Sequence, residues 1–147
     1  MSTSYTACRR CGAVNRVALA KAATTPPKCG NCHEALSFHD GLDDVGAGQL
    51  EALISSSPLP VIVDFWAPWC GPCRSFAPTF QKAAQEFAGK AVFVKLNTEA
   101  EPQVSARYGI RGIPTLMAFK DGRELKRESG AMPPQMLAAW LNETMRL

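Results

Sequence analysis

An α/β fold, a central mixed sheet flanked by helices behind a small cysteine-rich head, follows from three features of this 147-residue sequence. Short apolar runs at Val61–Trp66, Ala91–Leu96 and Thr115–Phe119 alternate with helical stretches, the pattern of a sheet covered on both faces. Six cysteines fall into three Cys-x-x-Cys pairs, two of them within the first 38 residues. Large apolar side chains are scarce before residue 39 and plentiful after residue 42. The chain therefore divides into a head, residues 1–38, and a larger domain, residues 42–147.

The elements of the larger domain follow in order. Gln49–Ile54 is helical in composition and stops at Ser55-Ser-Ser-Pro58. Val61–Trp66 reads as a buried strand. Gly71 to about Ala88 reads as a helix, with Phe76, Phe80, Ala83, Ala84 and Phe87 recurring on one face. Pro78 interrupts that pattern, and its ring crowds the carbonyl of Arg74, so a kink is expected. Ala91–Leu96 is a second buried strand, followed by a short helix near Pro102–Tyr108. Thr115–Phe119 and Arg123–Glu128 form a hairpin about Lys120-Asp-Gly122. Pro133–Met145 closes the chain as an amphipathic helix with Met136, Leu137, Trp140 and Leu141. This order gives parallel strands first and an antiparallel pair last.

The composition is that of a folded domain: 46% apolar and 20% charged residues exclude wholesale disorder. No apolar run approaches a membrane span, and no signal-peptide stretch is visible at the start. The formal charge of +3 lies entirely in residues 1–40. A basic head suggests nucleic acid, but four thiolates around one Zn²⁺ add a net −2 and bring it to about +1. A polyanion partner is therefore not expected.

Trp69-Cys70-Gly71-Pro72-Cys73 lies where a strand gives way to a helix. Cys70 at the helix N-terminus is stabilised as a thiolate by unpaired N–H groups and the macrodipole. Cys73, one turn further, is close enough to form a disulfide with it. The chemistry expected is attack by Cys70 on a substrate disulfide and resolution of the mixed disulfide by Cys73. Half a metal site and an inert pair are the alternative readings. Asp64 and Lys95 interrupt apolar strands; a carboxylate there must be paired, hydrogen-bonded or protonated, unless it reaches solvent at the strand end. Desolvation raises its pKa, the direction a proton shuttle at neutral pH requires.

In the head, Cys8-x-x-Cys11, seventeen residues, then Cys29-x-x-Cys32 matches the spacing of ribbon-type Cys₄ zinc sites. A segment this short needs a staple to fold. Two disulfides, and an iron site of the same geometry, are alternatives, as is His33 as a ligand. Gly12 and Gly30 suit the tight turns. A closed Cys₄ shell leaves no open position, so the metal would be structural or regulatory. His33 and His39 are otherwise expected on the surface.

Val63-Asp-Phe-Trp-Ala-Pro-Trp-Cys-Gly-Pro-Cys73 resembles the active-site segment of thioredoxins. Tyr108-Gly-Ile-Arg-Gly-Ile-Pro-Thr115 resembles their cis-proline loop, and Phe119-Lys-Asp-Gly122 their hairpin turn. The similarity spans about residues 42–147, and with the double Cys-x-x-Cys head the whole chain resembles the zinc-ribbon thioredoxins of bacteria. The resemblance implies the thioredoxin fold, Pro114 in cis against the Cys70–Cys73 disulfide, and Asp64 near Lys95 exchanging protons with Cys73. Trp69, Ile113 and Gly130 would border a flat apolar docking surface, in which Ser129 replaces an apolar residue and Arg111 faces solvent or substrate. It also implies one Zn²⁺, no bound organic cofactor, and a cytoplasmic monomer with no nucleic-acid or membrane partner. Its partners would be an NADPH-using thioredoxin reductase and oxidised clients such as reductases and peroxidases that recycle through thiols. A zinc-ribbon adaptor or redox-sensing chaperone is the competing reading; a disulfide oxidant or isomerase is disfavoured by Gly-Pro between the cysteines.

Overall fold

The computed structural model describes residues 3–36 and 42–146. The expected linker and His39 lie outside the described residues. The head opens with an antiparallel hairpin, β1 (Thr3–Ala7) and β2 (Val14–Ala18), and a single helical turn, α1 (Leu19–Ala22). These elements are too short and too poor in large apolar residues to announce themselves by periodicity.

The larger domain runs β3 (Leu42–Asp44), α2 (Ala47–Ser56), β4 (Val61–Trp66), α3 (Gly71–Glu86), β5 (Val92–Asn97), α4 (Gln103–Arg107), β6 (Thr115–Lys120), β7 (Arg123–Ser129) and α5 (Pro134–Met145). Its sheet has the order β3-β5-β4-β6-β7, with β3, β5 and β4 parallel and β6 and β7 antiparallel. This is the mixed sheet the sequence pattern requires. The edge strand β3 goes beyond that pattern, because Leu42-Asp-Asp carries two acids in three residues. The head accounts for one of them: Thr6 Oγ1 donates to Asp43 Oδ2 at 2.9 Å, both residues being buried.

Alternation along β4 sorts the core. Val61, Val63 and Phe65 pack with Val92, Val94, Leu96, Leu50, Leu53 and Val104 on the α2/α4 side. Ile62 packs with Phe93, Phe76, Phe80, Leu137 and Leu141 on the α3/α5 side. Burying each such side chain stabilises the fold by roughly 1.5–3 kcal/mol. Pro78 is exposed and lies within an uninterrupted α3. Its missing N–H leaves only one helical bond unmade, and its ring points away from the packed face.

The head does not stand apart from this core. Ala7 is 2% exposed and belongs to the α2-side cluster, with Tyr5 and Val14 packed against it. Gln49 Nε2 donates to the Ala7 carbonyl at 2.9 Å, and the Arg9 guanidinium donates to the Asp44 carbonyl. Among the described residues no helix is long and apolar enough to cross a membrane.

Candidate functional site

Cys70 is the N-cap of α3 and is disulfide-bonded to Cys73, with the two Cα atoms 5.2 Å apart. The Cys73 backbone N–H donates to Cys70 Sγ at 3.2 Å, satisfying one of the four otherwise unpaired N–H groups of the helix start. Pro72 occupies the first turn, where a missing N–H has no cost. Such a cap stabilises a thiolate at Cys70 once the disulfide is reduced.

Cys70 is less open than its place before Gly71 suggests: it is 5% exposed, against 2% for Cys73. Ile113 packs against both cysteines, and its carbonyl oxygen lies 3.8 Å from Cys70 Sγ. The Ile113–Pro114 peptide is cis. A groove lined by Trp69, Cys70, Pro72, Ile110, Arg111 and Ile113 opens at the disulfide. Trp69, 67% exposed, is an uncovered aromatic surface on its rim. Gly130 is not in that wall; its N–H, at a φ of 101°, donates to the Pro114 carbonyl at 2.8 Å and so holds the cis-proline turn. Ser129 Oγ lies 3.1 Å from Thr115 Oγ1, which gives its hydroxyl a partner beside the groove.

Asp64 follows Ile62 on the α3 face of the sheet and is fully buried, and neither carboxylate oxygen has a hydrogen-bond partner among the described residues. Burial pushes its carboxyl up to about 7, against the pull of the Lys95 charge. Lys95, opposite Asp64 in the β4–β5 register, is only half-buried. Its Nζ sits 4.5 Å from the centroid of the Trp66 ring instead of closing an ion pair with the aspartate. Trp66 itself packs against the disulfide, whereas Trp140 lies in the α3/α5 core.

In the head the Sγ atoms of Cys8, Cys11, Cys29 and Cys32 all lie within 4.8 Å of one another, and all four cysteines are free. Cys8–Cys32 and Cys11–Cys29 are both 3.6 Å apart. A tetrahedron of metal–sulfur bonds of about 2.3 Å has edges of about 3.8 Å, so the donor set fits one tetrahedral ion. Each pair sits in the same turn. The Gly12 N–H donates to the Cys8 carbonyl and the His33 N–H to the Cys29 carbonyl, both at 2.9 Å. Gly12 and His33 both take positive φ, 79° and 67°. Gly30, which lies inside its pair and not after it, is part of the second knuckle, but the residue that follows the second cysteine and turns left-handed there is His33. His33 therefore closes a turn and lies outside the donor cluster.

Two asparagines link the knuckles, a feature the sequence does not reveal. Asn15 Nδ2 donates to Cys29 Sγ at 3.5 Å and to the Ala13 carbonyl, and its Oδ1 accepts from the Gly30 N–H at 2.9 Å. Asn31 Nδ2 reaches back to Cys11 Sγ at 3.5 Å. The second knuckle thus receives an N–H···S contact from β2 and gives one to the first, which favours thiolates, the form that binds metal.

A buried disulfide at a helix start, a cis-proline turn and a fully buried aspartate with no hydrogen-bond partner among the described residues occur together with a consistent set of relatives. A family model described as Thioredoxin matches residues 44–143. Thioredoxin C-3 of Corynebacterium nephridii is 40% identical over 139 residues, 95% of this chain and 94% of that one, so the likeness extends into the head. Thioredoxin 1 of Nostoc sp. is 50% identical over 90 residues, 61% of this chain and 84% of its own length. Among solved structures, the Malassezia sympodialis thioredoxin (Mala s 13) is similar at a TM-score of 0.65 and 31% identity, over 71% of this chain and 93% of that one. With a matched model over more than half its length, the chain belongs to the thioredoxin family.

Proposed function

We propose that this thiol–disulfide oxidoreductase reduces protein disulfides through Cys70 and Cys73. The observation that carries the reading is the Cys70 cap on α3, in a groove shared with Ile113 of the cis Ile113–Pro114 turn. In the reduced protein the Cys70 thiolate attacks one sulfur of the client disulfide; that S–S bond breaks and the other client sulfur leaves as a thiol. Cys73, deprotonated with the help of Asp64, then attacks Cys70 Sγ. The second client thiol departs and the Cys70–Cys73 disulfide remains, two electrons having passed to the client. Lys95 keeps the field at Asp64 positive enough for the carboxylate to form. Trp69, Ile113 and Gly130 shape the surface on which the client strand lies, with Pro114 holding the turn.

An NADPH-dependent thioredoxin reductase restores the dithiol, and a reducing cytoplasm is the compartment that suits four free cysteines. The test is direct: the protein with dithiothreitol should reduce insulin, and with NADPH and a thioredoxin reductase it should do so without dithiothreitol. An adaptor that only holds clients would fail both assays.

The head fits the zinc-ribbon thioredoxins, the thioredoxin 2 type. Cys8, Cys11, Cys29 and Cys32 hold one Zn²⁺, whose binding energy folds the knuckles. A two-electron oxidant such as peroxide, by converting one of these thiolates to a sulfenic acid, would remove a ligand and loosen the ion, which would make the head regulatory. Asn15→Ala removes a donor to Cys29 and the link to Gly30, and is expected to weaken zinc binding about 10–100-fold. Competition against a chromophoric chelator measures this; an unchanged affinity removes Asn15 from the site.

Residues 41–147 fold and reduce disulfides by themselves. Removing residues 1–40 nonetheless strips Thr6 from Asp43 and Ala7 from Gln49 and Leu50. Losses of about 2 kcal/mol correspond to a Tm about 6–12 °C lower at this size. Calorimetry of the shortened chain should show one cooperative transition at the lower temperature, with insulin reduction retained. No transition at all would make the head part of the core.

A further inference from the structure

The groove wall opposite Trp69 is the chain between α4 and β6, and it has no strand partner of its own. Its start is fixed by a side chain from the far edge of the sheet. Arg127 on β7 donates from Nη2 to the Tyr108 carbonyl at 2.9 Å and from Nη1 to the Gly109 carbonyl at 3.2 Å. The same guanidinium forks onto Glu124, Nε to Oε2 at 2.7 Å and Nη2 to Oε1 at 2.8 Å. Tyr108 is the C-cap of α4, and Gly109, at φ 66°, reverses the chain into the groove wall. The carbonyls left unpaired by a helix of only five residues are where a cation is most favourable.

Downstream the wall is fixed too. The Ile110 N–H donates to the Ser105 carbonyl at 2.7 Å, and Gly130 holds Pro114. Between these anchors lie Arg111, Gly112 and Ile113, the residues a client strand must pass.

We propose that Arg127, oriented by Glu124, is a positioning residue for client binding, setting the exit of the chain from α4 and with it the 110–113 wall of the dithiol groove. The proposal rests on the reductase reading and adds to it a device on β7 that touches neither client nor cysteine. An exposed pair three residues apart contributes little to global stability. Its loss therefore falls on the loop and leaves the fold in place.

The test compares full-length wild type, Arg127→Met, Arg127→Lys and Glu124→Gln with insulin as substrate and NADPH plus thioredoxin reductase as the electron source. Arg127→Met keeps the aliphatic stem and loses every donor. It should raise KM about three- to tenfold, with kcat within about twofold and Tm within about 3 °C of wild type. Arg127→Lys should recover part of the KM, and Glu124→Gln should fall between. Amide hydrogen exchange at residues 110–113 should quicken in Arg127→Met in step with KM. A wild-type KM in Arg127→Met, or a KM rise accompanied by an equal fall in kcat and a collapse of Tm, overturns the proposal. Failure of the wild type to reduce insulin would instead overturn the reductase reading.

Discussion

Cys73→Ser is expected to convert a turnover enzyme into a trap, with client proteins linked covalently to Cys70. The first attack needs only Cys70, whose thiolate is stabilised by the start of α3 and by the N–H of residue 73, a backbone group the substitution keeps. The second step loses its nucleophile. A neighbouring thiol at the disulfide distance acts with an effective concentration of about 10⁵ M or more, whereas added dithiothreitol works at about 10⁻³ M. Turnover of insulin should fall by at least about 10³-fold, and mass spectrometry after alkylation should find adducts on Cys70. Cys70→Ser should be as inactive but carry no adducts. Adducts concentrated on Cys8, Cys11, Cys29 or Cys32 would remove Cys70 from the role of attacking thiol. Small alkylating reagents should label the reduced protein at Cys70 ahead of Cys73, through the groove that Cys70 lines beside Trp69.

What the sequence made legible depended on whether the deciding contacts were local. β4, with its run of Val61–Trp66, and α3, with Phe76 and Phe80 one turn apart, carry their own periodicity and appear where expected. β3 does not, because the hydrogen bond that Asp43 accepts in this acidic strand comes from Thr6, 37 residues earlier in the chain. The four cysteines of the head are visible by spacing, whereas Asn15 is visible only once the Cys29 knuckle folds back onto β2. The left-handed turn of the second knuckle is not legible either, because the residue after Cys32 is a histidine, and only the folded knuckle shows that His33 takes positive φ. The Arg127–Glu124 fork is a readable pair three residues apart, yet its targets, the carbonyls of Tyr108 and Gly109, belong to another element and leave no mark in the sequence.

Asp64→Asn is expected to make the protein more stable and slower at once. The carboxyl is fully buried with no hydrogen-bond partner among the described residues, and that burial pushes its pKa up to about 7 from the ordinary 3.8. The folded state therefore holds the proton between pH 4 and 7 while the unfolded state has lost it. Stability falls as pH rises through that window and levels off above about 7, by up to about 4 kcal/mol. An asparagine carries no such penalty. Its stabilisation should be near zero at pH 4, grow with pH, and reach a plateau of a few kcal/mol above pH 7, as read by denaturant unfolding of the oxidised proteins. General acid–base assistance is typically worth about 10²–10⁴-fold, and water entering from the groove can replace part of it. Disulfide exchange at pH 7 should therefore slow by at least about tenfold. The rise in wild-type rate through pH 7, where the carboxylate forms and can take the Cys73 proton, should vanish in the variant. Equal stability gains at pH 4 and pH 8 would show that the carboxyl does not titrate in the folded state. Unchanged turnover across the same range would leave Asp64 a buried charge with no part in the chemistry.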